Sequence, residues 1–468
     1  MNRNNTIETS IHNGFNNGLD HLFAELKRIE LILLAGAKRT GLDNNQTSSD
    51  SYNRIHSLTT DTESIFSVVF DRSTNNSNID VVNQSLRKLE SDIIQKKQES
   101  QDAGIFLPLC ELQRLFNLSA FDIDIVLMCL LPEIDPRFER YYAYLNDDIT
   151  KKSLTVNMIT RLLCVHLEDK LEAKKAFNQD AHLISNNLIH MYNNPVHNSP
   201  TLGSKFVQID ERIADYLIER NRIDHRLRSF TNLYQPTAKL PDLIIPQYLR
   251  ERLFKFISHN KETNPAYHFQ GQHGVGKRTT AEAICNESRI PLLYIDIKRM
   301  LADDISRDHA IRLIFREGLL QSAAIYLDRS DLLINNEYVD ANNSGCDALL
   351  SELENYPHQC FLSSENNLEL LRYPRNKLLV TIDFSLPDYA ARKQLWERQC
   401  QDNISIADDV DFDDLANKFR LNAVQIADAL SSARSVALWR DPENGVITSN
   451  DLYLVCREQS RQRLNTLT

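Results

Sequence analysis

Residues 270–280 read Gln-Gly-Gln-His-Gly-Val-Gly-Lys-Arg-Thr-Thr. They match the phosphate-binding pattern G-x-x-x-x-G-K-[ST] at every fixed position except the last. Gly271, Gly274 and Gly276, with Val275 between the last two, let backbone N–H groups turn inward around a phosphate. The helix expected next aims its positive end at the same point. Lys277 would place an ammonium on the outer phosphates. The eighth position should be a hydroxyl that holds Mg²⁺, but it is Arg278, with Thr279 one place later. A one-residue slip on a helix turns a side chain by about 100°. Thr279 therefore cannot simply replace the missing ligand. The stretch reads as a site that binds a nucleotide and is poorly equipped to hydrolyse it.

Asp328 ends the apolar run Ala323–Leu327. P-loop enzymes keep the carboxylate that supports Mg²⁺ at such a place. Thr279 and Asp328 are thus the candidate metal ligands. The residue after the carboxylate is usually a Glu that polarises the attacking water. Here it is Arg329, which cannot act as a general base at neutral pH. Asp331 is expected to face elsewhere. Ser363 and Ser364 end another apolar run, where a hydroxyl could bond a γ-phosphate or a water. Arg372 and Arg375 precede the run Leu378–Ile382. An arginine there can reach a neighbouring subunit's phosphate as a trans finger, or serve only in surface ion pairs.

The elements that must position these residues alternate. Helix 247–258 is followed by strand 266–269, the loop and a helix from Ala281. Strands follow at 291–296, 323–327, 360–363 and 378–382, with a helix at 310–321. That spacing predicts a mostly parallel sheet with helices on both faces and ligands at the strand carboxyl ends. After Pro387, four helices (387–401, 411–419, 423–436, 449–467) form a lid. Asp411, Asp413 and Asp414 suit the start of the second.

The first half is mainly helical. Leu19, Leu22, Phe23, Leu26, Ile29 and Leu33 set an amphipathic helix over 19–37, able to pack on its own domain or on another subunit. A polar stretch, Thr40–Ser77, holds one apolar island at 65–70, and a charged helix covers 81–101. Further helices are expected at 108–116, 121–131 (capped by Ser119 with Asp122, ended by Pro132), 136–145 and 156–167. Two β-like runs, 188–192 and 205–209, flank a loop with Pro195 and Pro200, and Asp210 caps a closing helix. This suggests a winged-helix-like domain. Its candidate recognition helix has few Arg or Lys residues, so protein docking is favoured over DNA reading. Pro236, Pro241 and Pro246 mark 231–246 as a linker. The resulting map is 1–14 disordered, 15–103 helical with a polar insertion, 104–230 winged-helix-like, 231–246 linker, 247–385 α/β nucleotide-binding and 386–468 helical lid.

The 468 residues carry a net charge of −11, with 42% hydrophobic and 25% charged residues. That suits globular domains with sizeable cores and argues against a whole-chain nucleic-acid binder. The 8 cysteines include no C-x-x-C pair, as in a reducing compartment. No run is long enough for a membrane span and no signal peptide begins the chain, so a cytoplasmic protein without a membrane partner is expected.

Taken together, the glycine loop, Leu327-Asp328, the Ser363 region, Leu386-Pro387 with Ala391-Arg392 and Leu395-Trp396, and the lid resemble an AAA+ ATPase module. Phe116-Asn117-Leu118-Ser119, Leu131-Pro132-Glu133-Ile134-Asp135 and Tyr141–Asp148 are similar to the winged-helix region of one family. These are the AAA+ ATPases of phage-tail-like extracellular contractile injection systems, and the resemblance covers most of residues 15–468. It implies a P-loop AAA+ sheet with a helical lid behind a winged-helix-like domain. It implies ATP or ADP as ligand, with Mg²⁺, self-association into a ring, and injection-particle proteins as partners. Such proteins usually carry two AAA modules, the first often degenerate. This chain matches the first, and Leu452–Leu464 resembles the lid helix before a second. Gln425 stands near where many lids carry a phosphate-sensing Arg. The expected function is nucleotide binding with weak or absent hydrolysis, in assembly or remodelling of an injection particle. Two other readings stay open: a winged-helix DNA-binding regulator with a nucleotide-sensing domain, and an active ATPase.

Overall fold

The computed structural model describes residues 13–39, 77–146, 148, 151–193, 201–259, 265–334, 344–366, 377–400 and 405–465. The expected disordered start (1–12 of it), the polar insertion up to residue 76, Pro195 and Pro200 lie outside them, as do Arg372 and Arg375. The chain divides into two compact units, Met1–Arg222 and Ile223–Thr468.

In the first unit, helix α1 (Gly18–Arg39) buries Leu22, Leu26, Ile29 and Leu33 and leaves Phe23 55% exposed. Its stripe packs within the unit, against α2 (Ser77–Asp102) and four later helices. Helix α3 (Pro108–Leu115) precedes α4 (Ala120–Ile134), which opens on the expected capping box. Ser119 Oγ accepts from the Asp122 N–H, and the Asp122 carboxylate accepts from the Ser119 N–H. Pro132 does not end this helix but sits inside it. Proline removes the donor that would meet the carbonyl four residues back, that of Met128. The Tyr142 hydroxyl, from α5 (Arg137–Leu145), donates to that carbonyl at 2.7 Å and keeps the helix intact. The rest of the unit is β1 (Leu154–Thr155), α6 (Val156–Leu163), α7 (Leu167–Ala173), α8 (His182–Ser185), β2 (Ile189–Tyr192), β3 (Phe206–Ile209) and α9 (Glu211–Leu217). The expected strand pair gains β1, giving an antiparallel sheet of order β1-β3-β2. Asp210 caps α9 as anticipated.

In the second unit, six strands order as β4-β6-β7-β8-β5-β9. They are β4 (Thr231–Tyr234), β5 (Ala266–Gln270), β6 (Leu292–Asp296), β7 (Ala324–Asp328), β8 (Cys360–Ser364) and β9 (Leu379–Asp383). All pair in parallel except β4, antiparallel on β6. The start of the expected linker is therefore an edge strand of the sheet. Alternation splits the core: Leu293, Ile295, Ile325 and Leu327 face one helical layer, while Tyr267, Phe269, Tyr326 and Phe361 face the other. The first layer holds α13 (Arg307–Leu320) and α15 (Ser344–Asn355), the second α10 (Gln247–His259) and α11 (Lys277–Ser288). Short helices α12 (Ile297–Leu301) and α14 (Asp331–Ile334) follow β6 and β7. The lid is α16 (Tyr389–Gln399), α17 (Phe412–Lys418), α18 (Ala423–Arg440) and α19 (Ser449–Asn465), around Trp396, Leu415, Ile426, Leu430 and Leu452.

Candidate functional site

Parallel register brings the strand ends into one row. Asp296 lies opposite Asp328, and Gln270 lies between Ser364 and Asp383. The glycine loop rises from Gln270 at the centre of this edge. Gly276 has φ of 94° and leads directly into α11, a conformation few other residues adopt cheaply. Gly274, with φ of 83°, passes under the lid, where a Cβ would come within 2.7 Å of Asn422 Oδ1. Asn422 caps α18 and donates from Nδ2 to the His273 carbonyl at 2.8 Å. The lid is thus tied to the loop itself.

Lys277 begins α11 and is buried. Its ammonium donates to the carbonyls of Gly271, of Gln272 at 3.4 Å and of Ser364 at 2.9 Å. Burial lowers its pKa, opposed by the charges of Glu365, Asp328 and Asp331. Asp331 therefore feels the loop lysine, although it does not line the cavity around it. Burial also pushes the Asp331 carboxyl up.

Arg278 lies against aromatic rings. Its guanidinium carbon is 4.3 Å from the ring centre of Tyr294 and 5.5 Å from that of Tyr234. It donates to Glu282 at 3.0 Å and to the Tyr234 hydroxyl at 3.0 Å. Burial disfavours its charge, but these bonds outweigh that and raise its pKa. Asp328 accepts a 2.9 Å bond from the Tyr294 hydroxyl. Burial and Asp328 together raise that phenol, which stays protonated. Thr279 is exposed and is among the residues lining the cavity. Arg329 adopts φ of 58°, and Ser330 next to it donates twice to the Ser363 carbonyl, at 2.7 and 3.0 Å.

Ser363 lines the cavity. The Ser364 hydroxyl is not free for a phosphate. It donates to the Asn366 carbonyl at 2.7 Å and meets His268 Nε2 at 2.8 Å. Burial lowers His268 to about 4, so the ring is neutral and donates from Nε2. Gln425 closes a capping box with Asn422 rather than reaching the loop.

Two cavities meet at Gly274, Gly276, Thr279 and Ala423. One, of about 300 Å³, is lined by Lys277, Arg278, Tyr294, Asp328, Ser363 and Glu365. The other, of about 1100 Å³, runs between residues 237–251, Val275, Asp383 and the α16 residues Ala391 and Leu395. The first suits an anion; the second has room for a larger, partly apolar group. Tyr294 and Asn422 are not legible as site residues, because strand pairing and lid docking bring them there across long stretches of chain; Glu365 directly follows Ser364, and that adjacency is its signal. Arg372 and Arg375 lie outside the described residues. Among the described residues no helix is long and apolar enough to cross a membrane.

Three family models match consecutive stretches. They are the winged helix domain, variant (residues 5–231), the ATPase family associated with various cellular activities, AAA (267–381), and the contractile injection system ATPase helical domain (388–462). No curated protein matches the sequence. A solved structure described as the structural basis for katanin self-assembly is similar over 49% of this chain and 88% of its own. Its identity is 17% and its TM-score 0.41. In N-to-C order the chain thus carries a winged helix domain, an AAA module of the ATPase family and the helical domain of contractile injection system ATPases.

Proposed function

We propose that this protein binds ADP or ATP at the glycine loop, hydrolyses it weakly or not at all, and acts in a ring that assembles or remodels a contractile injection particle. The observation that carries the reading is the convergence of Gly274–Lys277, Asp328 and the lid residue Ala423 on the paired cavities. The larger cavity would take the adenosine and the smaller the phosphates, against the loop amides and Lys277. The match to the contractile injection system helical domain supports the particle association. The AAA module supports ring formation, and Arg372 or Arg375 would serve a neighbouring subunit's phosphate. Thr279 and Asp328 are the two residues the sequence reading offers as metal ligands.

Titration of the full chain with a fluorescent adenine nucleotide should saturate. Lys277→Ala should weaken binding tenfold or more, about 1.4 kcal/mol, with unchanged circular dichroism. No saturation at millimolar nucleotide, or a Lys277→Ala variant that binds like wild type, defeats the reading.

A further inference from the structure

A P-loop site normally receives Mg²⁺ on a loop hydroxyl, supported by the strand-end carboxylate. The donors of this chain do not fit that ion. At the loop position stands the Arg278 guanidinium, 4.3 Å from the Tyr294 ring centre. The carboxylate oxygen Asp328 Oδ2 already accepts the Tyr294 hydroxyl at 2.9 Å. One tyrosine thus holds both groups, the cation on its face and the carboxylate on its edge. A divalent ion needs oxygen ligands. Here it would meet a fixed positive charge in place of one and a phenol on the other. Arg278, Tyr294, Asp328 and Lys277 all line the same cavity of about 300 Å³.

Resting on the nucleotide reading above, we propose that the site takes a nucleoside di- or triphosphate without a divalent cation, and that Arg278, positioned by Tyr294, supplies the positive charge a metal would otherwise bring to the phosphates. A guanidinium is suited to this. It stays charged at any working pH and offers planar, paired donors to phosphate oxygens. Glu282, as an ion pair through Nε, and the Tyr234 hydroxyl on Nη2 hold the group in place at 3.0 Å each, and the residue lines the cavity.

The test is equilibrium binding of a fluorescent ADP analogue to the full chain, once in excess EDTA and once in millimolar Mg²⁺. The affinities should agree within about threefold, short of the tenfold that is about 1.4 kcal/mol. Weakening of tenfold or more in EDTA would overturn the proposal. Arg278→Ala should weaken binding about tenfold in both buffers; an unchanged affinity would also overturn it. Arg278 is half-exposed, so this variant should fold, which circular dichroism checks. The double variant Arg278→Thr with Tyr294→Phe restores a hydroxyl and releases Asp328. It should bind more tightly in Mg²⁺ than in EDTA, and the absence of any metal response would count against the assignment. Absence of saturation by wild type in both buffers would instead bring down the nucleotide reading itself.

Discussion

Arg278 and Arg329 each stand where a P-loop hydrolase places an oxygen. Each loss costs roughly 10²–10³ in rate on the scale of single catalytic contacts. Both act on one transition state, so the losses need not multiply. Wild-type phosphate release should therefore stay near background. Arg278→Thr with Arg329→Glu should raise metal-dependent release, and adding Tyr294→Phe should raise it further by freeing Asp328. Wild-type turnover of about one per second that vanishes in Lys277→Ala would show the two positions misread. At this scale the sequence carries what is local. The glycine loop, Asp328 and the Ser119–Asp122 cap all announce themselves within a few residues. The hydroxyl of Tyr294 on Asp328, and that of Tyr142 on the Met128 carbonyl, are tertiary bonds with no local signature.

Strand β4 is an element that its own residues do not announce. It is only four residues long and precedes three prolines, so its composition reads as linker. What holds it is the antiparallel ladder with β6 and an anchor just upstream. Asp224 is buried between Arg226, at 2.6 Å, and Arg316 of α13, at 2.7 Å. Burial works against its charge, but the two guanidinium groups outweigh it and hold the carboxyl below its usual range. Removing one member of a buried pair strands the other charge. Asp224→Ala should therefore destabilise the chain by about 3–5 kcal/mol, read from the denaturant midpoint. A shift below about 1 kcal/mol, the scale of an exposed pair, would show that the anchor carries little. The central parallel strands, by contrast, are short apolar runs bounded by polar residues, a signal carried within each segment. Asn422 joins lid to loop through one amide, which no periodicity could reveal.

For the whole molecule, charge and domain order bear on partners. The chain carries −11, and its first unit matches a winged helix domain, a fold that often reads DNA. Several of that unit's lysines and arginines are already paired with acids. Lys175 meets Glu172 at 2.6 Å, Lys151 meets Asp148 at 3.1 Å, and Arg28 meets Asp124 at 2.6 Å. Phosphate contacts supply most non-specific affinity and fade with salt. A gel shift with the full chain at physiological salt should therefore show only weak, sequence-independent retention of duplex DNA. A nanomolar, sequence-selective shift would favour the regulator reading over a role in an injection particle.

The Lys277 ammonium spends its protons on the carbonyls of Gly271, Gln272 and Ser364. A phosphate can reach that charge only after the loop gives up these bonds, and the loop is itself fastened to the lid by Asn422. Entry of a nucleotide, as proposed above, would wait on that rearrangement and so be slower than collision alone allows. On the nucleotide reading proposed above, the ligand would act less as a fuel that passes through than as a part that must be fitted.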